Sequence, residues 1–236
     1  MSVADIEKRI RFRYKKFFSD LQINPKTGIV KSDNNLKFAT YPFVGSKYAA
    51  TKLKILFIGL DLGKDESKKI LEFKPKRKVV ERMYDDIKKM NVHIAGTCIS
   101  TLWLWGRRDG FRGAKSYKAA IKIFKERHGT KNPLSQIAFT NLFKFVTRNR
   151  IHRFGGGDRR HILKKAEEQL LLDEIMILSP RVIIFQSLRF NDLSYNMFFD
   201  QLRNRIKNLK VFIAPHPSYH GIRAPLPYIK KWRVRF

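Results

Sequence analysis

The sequence predicts a three-layer α/β/α fold with a central, mainly parallel four-stranded sheet. Short apolar runs of strand length alternate along the chain with longer segments in which apolar residues recur every three or four positions, the helical period. Strands that alternate with helices favour a parallel sheet covered on both faces. The length of 236 residues suits one well-packed core better than two. We therefore expect a single domain over residues 1–236.

The N-terminal half is predicted to contain a long helix and the first central strand. Apolar residues from Ile6 to Leu21 recur at helical spacing, whereas residues 29–48 show no sustained period and are predicted to be irregular. We assign residues 1–48, approximately, to an N-terminal helical extension of the domain. Residues 53–59 form an apolar run with the length of a buried strand. Helical spacing returns near residues 80–87 and, more weakly, at 115–127.

The C-terminal half is predicted to supply three further strands, at residues 137–141, 181–186 and 211–214. A helix capped by Asp158 and a second helical face at residues 198–206 separate the last three strands. The carboxyl ends of parallel strands meet at one edge of a sheet, and functional loops are expected beyond that edge.

The charge of the chain predicts a polyanionic partner. Lys and Arg number 50 and Asp and Glu number 20, which gives a formal net charge of +30. Phosphate backbones attract an excess of this sign. Adaptation to a hot or salty habitat is the alternative, but it usually raises Glu together with Lys. No acidic residue follows Asp200, whereas nine basic residues do: Arg203, Arg205, Lys207, Lys210, Arg223, Lys230, Lys231, Arg233 and Arg235.

The cysteine content excludes several kinds of site, and the hydropathy pattern indicates the cellular compartment. The single cysteine, Cys98, excludes an intrachain disulfide, a four-thiolate zinc site and a cysteine-ligated iron–sulfur cluster. No apolar run approaches the roughly 20 residues of a membrane span, and the N-terminus, with Asp5 and Glu7, lacks a signal-peptide core. We expect a cytoplasmic protein with no membrane partner, associated with the nucleoid if the source is prokaryotic.

Polar motifs follow three of the predicted strands. Gly59-Leu60-Asp61-Leu62-Gly63 follows the first strand, Asn141 ends the second, and His216-Pro217-Ser218 follows the last. Small residues let a ligand approach the backbone, and an asparagine amide offers the donor and acceptor needed to read the Watson–Crick edge of a pyrimidine. Each motif alone is equally typical of a turn or a helix cap. Their convergence at one sheet edge favours a functional site.

The ordered set of motifs resembles the uracil-DNA glycosylase superfamily. The resemblance spans residues 53 to about 223 and does not include the first forty or so residues or residues 92–113. It rests on four segments: Ile58-Gly59-Leu60-Asp61-Leu62-Gly63, Phe139-Thr140-Asn141-Leu142-Phe143-Lys144, Ser179-Pro180-Arg181-Val182-Ile183-Ile184 and Pro215-His216-Pro217-Ser218.

The resemblance implies a hydrolase of base excision repair that removes uracil or another deaminated base from flipped nucleotides in DNA, without a metal or cofactor. We expect it to act as a monomer. Asp61 matches the carboxylate that activates water, and His216 the residue that stabilises the anionic leaving base. The residues that it implies in base binding are Gly59, Leu60, Phe73 as the stacking aromatic, and Asn141 as the reader of the uracil edge. Those that it implies in DNA binding are Ser218 and Arg223 as phosphate contacts, and Tyr219 or Ile222 as the wedge.

Three departures from the family pattern leave the preferred base and the handling of duplexes open. Leu62 stands where a proline is usual, and Gly63 where the uracil-strict branch has an aromatic residue that excludes thymine. Residues 219–222 differ from the usual Pro-Leu wedge.

Two other functions compete with this one. The first is a non-catalytic nucleic-acid-binding member of the same fold, suggested by the charge and the altered first motif. The second is a metal-dependent nuclease that uses Asp61, Asp65 and Glu66.

Residues 91–97 could line a pocket, but a helix C-terminus followed by a turn is favoured there. Trp103, Trp105 and Trp232 could stack on bases, although burial is the more frequent role of tryptophan.

Overall fold

The computed structural model describes residues 1–60, 70–105, 114–129, 131–147, 160–217, 228 and 230–236. Within these residues the helices are α1 Val3–Asp20, α2 Phe73–Asp85, α3 Val92–Leu104, α4 Tyr117–His128, α5 Arg160–Leu178 and α6 Asn196–Arg205. The strands are β1 Ile29–Val30, β2 Asp33–Phe38, β3 Phe43–Val44, β4 Ile55–Gly59, β5 Ile137–Asn141, β6 Phe145–Thr147, β7 Val182–Phe185, β8 Lys210–Ile213 and β9 Arg233–Val234. None of the described helices is both long and apolar enough to cross a membrane.

The central sheet has the strand order β3-β5-β4-β7-β8-β9. Its four inner strands β5, β4, β7 and β8 are mutually parallel, and they are the four strands that the sequence predicts, with bounds that agree within two residues. The edge strands β3 and β9 are antiparallel to their neighbours and enlarge the predicted four-stranded sheet to six. The mainly parallel sheet and the α/β class are confirmed.

Helices cover both faces of this sheet. Alternate residues of β4 belong to different apolar clusters, as the two-residue period of a strand requires. Leu56 and Ile58 pack with apolar residues of α1, α5 and α6, whereas Ile55 and Phe57 pack with those of α3 and α4. This alternation gives the three layers and places α1 in the same core as the central strands.

The prediction that residues 29–48 are irregular was wrong, and so was a helical extension beyond Asp20. β1 and β2 form a small antiparallel sheet with β6, in which Phe38 lies opposite Phe145. β3 pairs with β5, with Phe43 opposite Phe139. Strands of two to six residues carry little periodic signal. In addition, β2 and β3 pair with strands about a hundred residues further along the chain.

The favoured assignment of residues 91–97 to a helix C-terminus was also wrong, because α3 begins there. The Asn91 side chain caps α3 by accepting a hydrogen bond from the Ile94 amide (2.9 Å). Every residue from Ile94 to Leu102 is buried. A helix that is buried all round has no polar face, so it lacks the amphipathic period that sequence analysis detects.

A buried ion pair lies between the sheet and α5. Lys144 Nζ contacts Glu174 Oε2 at 2.7 Å, and the two side chains are 2% and 1% exposed. Tyr14 of α1 donates its hydroxyl to Glu174, and Thr140 of β5 donates to the same carboxylate (2.9 Å). Burial lowers the pKa of Lys144, and Glu174 opposes that shift. The pair and its hydrogen bonds therefore join α1, α5 and the end of β5.

Glu174→Ala should lower the free energy of unfolding by about 3–5 kcal/mol, because it leaves the Lys144 ammonium buried without its carboxylate. Urea denaturation at neutral pH measures this loss. Glu168→Ala is the matched control on the same helix. Its ion pair with Lys164 (3.7 Å) is partly exposed, so its loss should cost less than about 1 kcal/mol. Equal losses in the two variants would show that burial adds nothing to the Lys144 pair.

Candidate functional site

The carboxyl ends of the four parallel strands form a row of polar groups. Across the sheet the row runs from Asn141 at the end of β5 to Gly59 at the end of β4, then Gln186 after β7 and His216 after β8. Neighbouring strands lie about 4.8 Å apart, so β5 and β8 are separated by about 14 Å. The predicted site residues therefore share one edge of the sheet without forming a single contact cluster.

Asn141 and Gly59 are opposite each other in the β4–β5 register. A Cβ atom on Gly59 would overlap the Asn141 Oδ1, so the amide occupies space that only glycine leaves open. The backbone continues this pairing beyond the strands. The Leu142 amide donates to Gly59 O and the Phe143 amide donates to Leu60 O, both at 2.9 Å. Three predicted site residues, Gly59, Leu60 and Asn141, are thus held together.

Side chains on the α5 face of the sheet anchor the end of β5. Thr140 is one residue before Asn141 and Lys144 is three residues after it. Both side chains donate hydrogen bonds to Glu174. The Lys144 amide also donates to Glu167 Oε1 (2.6 Å), and burial raises the pKa of Glu167 to about 7. Because neighbouring strand residues point to opposite faces, these contacts hold the backbone while Asn141 faces the α3 side of the sheet.

Helix α3 brings to this edge three residues of the 91–97 segment, which the sequence analysis named only as a less favoured pocket lining. The His93 ring lies 5.3 Å from the His216 ring, measured between centroids. Gly96 packs against Pro217, where a Cβ atom would lie 2.8 Å from the proline Cβ. Thr97 Oγ1 accepts a hydrogen bond from the Gln186 side chain (3.1 Å). The spacing of 93, 96 and 97 places them on one helix face, a signal that becomes readable only once residues 92–104 are known to be helical.

Two of these groups have unusual electrostatics. Burial and, to a smaller extent, the neighbouring His216 lower the pKa of His93 to about 4. His93 is therefore neutral at pH 7. Gln186 is 1% exposed, and its Oε1 has no hydrogen-bond partner within the described part of the chain. The α3 side of the row thus combines a neutral imidazole with an unsatisfied acceptor.

The predicted DNA-binding residues belong to a segment whose two ends are at this edge. Ser218, Tyr219, Ile222 and Arg223 lie outside the described residues, between Pro217 and Tyr228. The Tyr228 hydroxyl donates to the Pro215 carbonyl (2.7 Å). The chain therefore leaves the sheet beside His216 and returns to the same place. Asp61, the predicted catalytic carboxylate, directly follows Leu60 and also lies outside the described residues.

Phe73, the predicted stacking aromatic, is the first residue of α2 and is 2% exposed. Its ring stacks on Tyr41, with centroids 4.9 Å apart and planes inclined by 26°. The Arg11 guanidinium lies over the Phe73 ring at 5.1 Å. A base could stack on Phe73 only after Tyr41 or Arg11 had moved.

The tryptophans of the competing base-stacking hypothesis are partly buried. Trp103 of α3 and Trp232 before β9 meet edge to face, with ring centroids 5.7 Å apart. Trp232 also contacts Phe212 and Tyr228. The pair therefore attaches the C-terminal residues to α3 and β8.

Comparisons with models of known protein families and with curated proteins find no match for this chain. Among the described residues, no group of three or more His, Cys, Asp and Glu side chains is placed to hold a metal ion. The acids of the nuclease hypothesis, Asp61, Asp65 and Glu66, lie outside those residues.

Gly59→Ala should lower the free energy of unfolding by about 1–3 kcal/mol, because its methyl group overlaps the Asn141 side chain. The double variant Gly59→Ala/Asn141→Ala removes the overlap and should recover most of the loss in urea denaturation. Asn141→Ala alone is the control. Strictly additive effects of the two substitutions would contradict a direct contact between these positions.

His93 should make the stability of the protein fall in mild acid. Its folded pKa of about 4 lies below the ordinary value of about 6.5, so between these values the unfolded chain binds more protons. The resulting loss is absent above pH 6.5 and grows as the pH falls towards 4. Urea denaturation at pH 7 and pH 5 should show a smaller loss, by about 1–2 kcal/mol, in His93→Asn than in the wild type.

An NMR titration of the histidine rings checks the cause. In His216→Asn the pKa of His93 should rise but stay below 6.5, because burial, the larger cause, remains. An unchanged His93 titration in this variant would contradict the coupling of the two imidazoles.

Proposed function

We propose that this protein is a DNA glycosylase that hydrolyses the N-glycosidic bond of uracil or another deaminated base. The observation that carries the proposal is the order of groups at the carboxyl edge of the sheet. Asn141 lies against Gly59 at one end, His216 lies beside a neutral His93 at the other, and in the sequence Asp61 directly follows Gly59-Leu60. A base reader, a carboxylate and a donor to the leaving base are the groups that this reaction requires.

The position of Asn141 suits recognition of a flipped base. Its amide has one donor group and one acceptor group, which match the edge of a pyrimidine such as uracil. The contacts of Thr140 and Lys144 with Glu174 hold the strand on either side of it. A reader held by rigid backbone needs little reordering when the base arrives, so more of the binding energy is retained.

The reaction separates charge, and residues at the edge stabilise both products of that separation. As the bond between deoxyribose C1′ and the base breaks, its electron pair leaves with the base and the sugar becomes cationic. Water then adds to C1′ and gives its proton to Asp61. His216 donates an N–H to the anionic base, which afterwards takes a proton from solvent. Donors and charges that are already in place lower the barrier most, because they need no reorganisation during the reaction.

The remaining roles follow from the need to extrude a nucleotide. Unstacking costs a few kcal/mol and is offset by contacts with phosphates and by a side chain that fills the vacated space. We assign phosphate contacts to Ser218 and Arg223 and the wedge to Tyr219 or Ile222. The net charge of +30 supports DNA as the substrate, and we place the activity in the cytoplasm, at the nucleoid if the cell is prokaryotic.

A glycosylase assay tests the proposal. Labelled oligonucleotides carrying uracil, hypoxanthine or xanthine, single-stranded and paired, are incubated with chelator, and alkali then reveals abasic sites. The wild type should give alkali-dependent cleavage at the modified base. Asp61→Asn, Asn141→Ala and His216→Ala should each lower the rate by roughly 10²–10³-fold.

His128→Ala is the matched histidine control and should keep the wild-type rate. His128 is remote from the site. The first turn of α4 contacts the site helix, through Tyr117 and Gly96, whereas His128 is in the last turn, about 16 Å further along the helix axis. Tight binding without base release on any substrate would refute the glycosylase and favour a non-catalytic binding protein. Strand cleavage that requires a divalent metal would instead favour the nuclease.

A further inference from the structure

Three exposed cations lie at the same edge of the sheet as His216. β9 is antiparallel to β8, with Arg233 opposite Ile213, the last residue of β8. The residues just before Arg233 therefore lie beyond the carboxyl end of β8, where residues 214–217 also lie. Lys230, Lys231 and Arg233 are exposed, and we call these three residues the carboxyl rim.

Contacts of the neighbouring residues attach the rim to the site. The Lys231 amide donates to the Tyr228 carbonyl (3.1 Å), and the Tyr228 hydroxyl donates to the carbonyl of Pro215, the residue before His216. Trp232 is partly buried and packs against Trp103 and Phe212. The backbone of the rim is thus held in place while its charged side chains face solvent.

The rim charges are not neutralised by acids of the described structure. None of the ion pairs formed between described residues includes Lys230, Lys231 or Arg233. The sequence contains no Asp or Glu between Asp200 and Phe236. Three cations within four residues create a local positive potential that attracts an anionic chain.

We propose that the carboxyl rim binds the phosphate backbone of the nucleic-acid strand whose base enters the site. The proposal rests on the proposed function for the identity of the strand, and it adds a surface to which the family resemblance assigns no role. Each lysine or arginine that neutralises a phosphate releases bound counterions, so the rim makes a defined contribution to the salt dependence of binding.

The chain offers a matched control at the opposite edge of the sheet. Arg205, Lys207 and Lys210 are also exposed and carry the same total charge. They lie at the end of α6 and the beginning of β8, so they belong to the amino edge. Lys210 is six residues from His216, up to about 20 Å along an extended chain.

The test is fluorescence anisotropy of labelled, unmodified oligonucleotides between 50 and 200 mM salt. It compares the wild type with Lys230→Gln/Lys231→Gln/Arg233→Gln and with Arg205→Gln/Lys207→Gln/Lys210→Gln. The rim variant should reduce the magnitude of the slope of log affinity against log salt by about 2–3 on duplex DNA. The amino-edge variant should change it by less than about 1. Equal changes in the two variants, or no change in the rim variant, would overturn the proposal.

Two further measurements make each result interpretable. Thermal unfolding verifies that the triple variants are folded. If the rim triple variant is unfolded, the single variants Lys230→Gln and Lys231→Gln take its place, and each should reduce the slope by about 1. Base release measured in parallel separates the two proposals. Rim-dependent binding without base release refutes only the glycosylase, whereas base release with equal slopes in all variants refutes only the rim.

Discussion

The buried pair of Lys144 and Glu174 is the interaction on which the arrangement at the sheet edge depends. A charge this deep in the protein is tolerated only with its partner and with hydrogen bonds to the remaining lone pairs. Tyr14 and Thr140 supply those hydrogen bonds. The requirement to satisfy Glu174 therefore brings together α1, α5, β5 and the residues that follow β5. Hydrophobic contact alone would tolerate a shift of α1 against the sheet, whereas a shared carboxylate does not.

At this edge the two-residue period of the strands places anchoring residues on one face of the sheet and candidate site residues on the other. Thr140 faces Glu174, and its neighbour Asn141 faces the α3 side. In the same way Phe185 packs in the core with α6, while Gln186 bonds to Thr97 of α3. Asn141 and Gln186 are thus each adjacent to a residue held on the opposite face. Sites carried by strand ends inherit the rigidity of the sheet, which favours any site that must hold its groups in one geometry.

The edge of the sheet combines a buried, neutral imidazole with exposed cations. The imidazole of His93 is neutral at pH 7, because burial and, to a smaller extent, the neighbouring imidazole lower its pKa. The three cations of the carboxyl rim are exposed to solvent. Exposed cations attract a polyanion to the protein surface, whereas a neutral, buried imidazole adds no charge of its own to the edge.

The sequence by itself determined the four parallel strands and α1, because buried strands are continuous apolar runs and an amphipathic helix repeats its apolar residues on one face. It also predicted which residues end those strands, including Asn141. Only the tertiary structure decided β1, β2, β3, β6 and β9, whose hydrogen-bonding partners are distant or whose length is too short for a period. It also revealed α3, which lacks a polar face, and with it the approach of His93 to His216 and of Thr97 to Gln186. These contacts join residues about 90 to 120 positions apart, so no local pattern encodes them, and they exist because Gly96 lets α3 pack directly on Pro217.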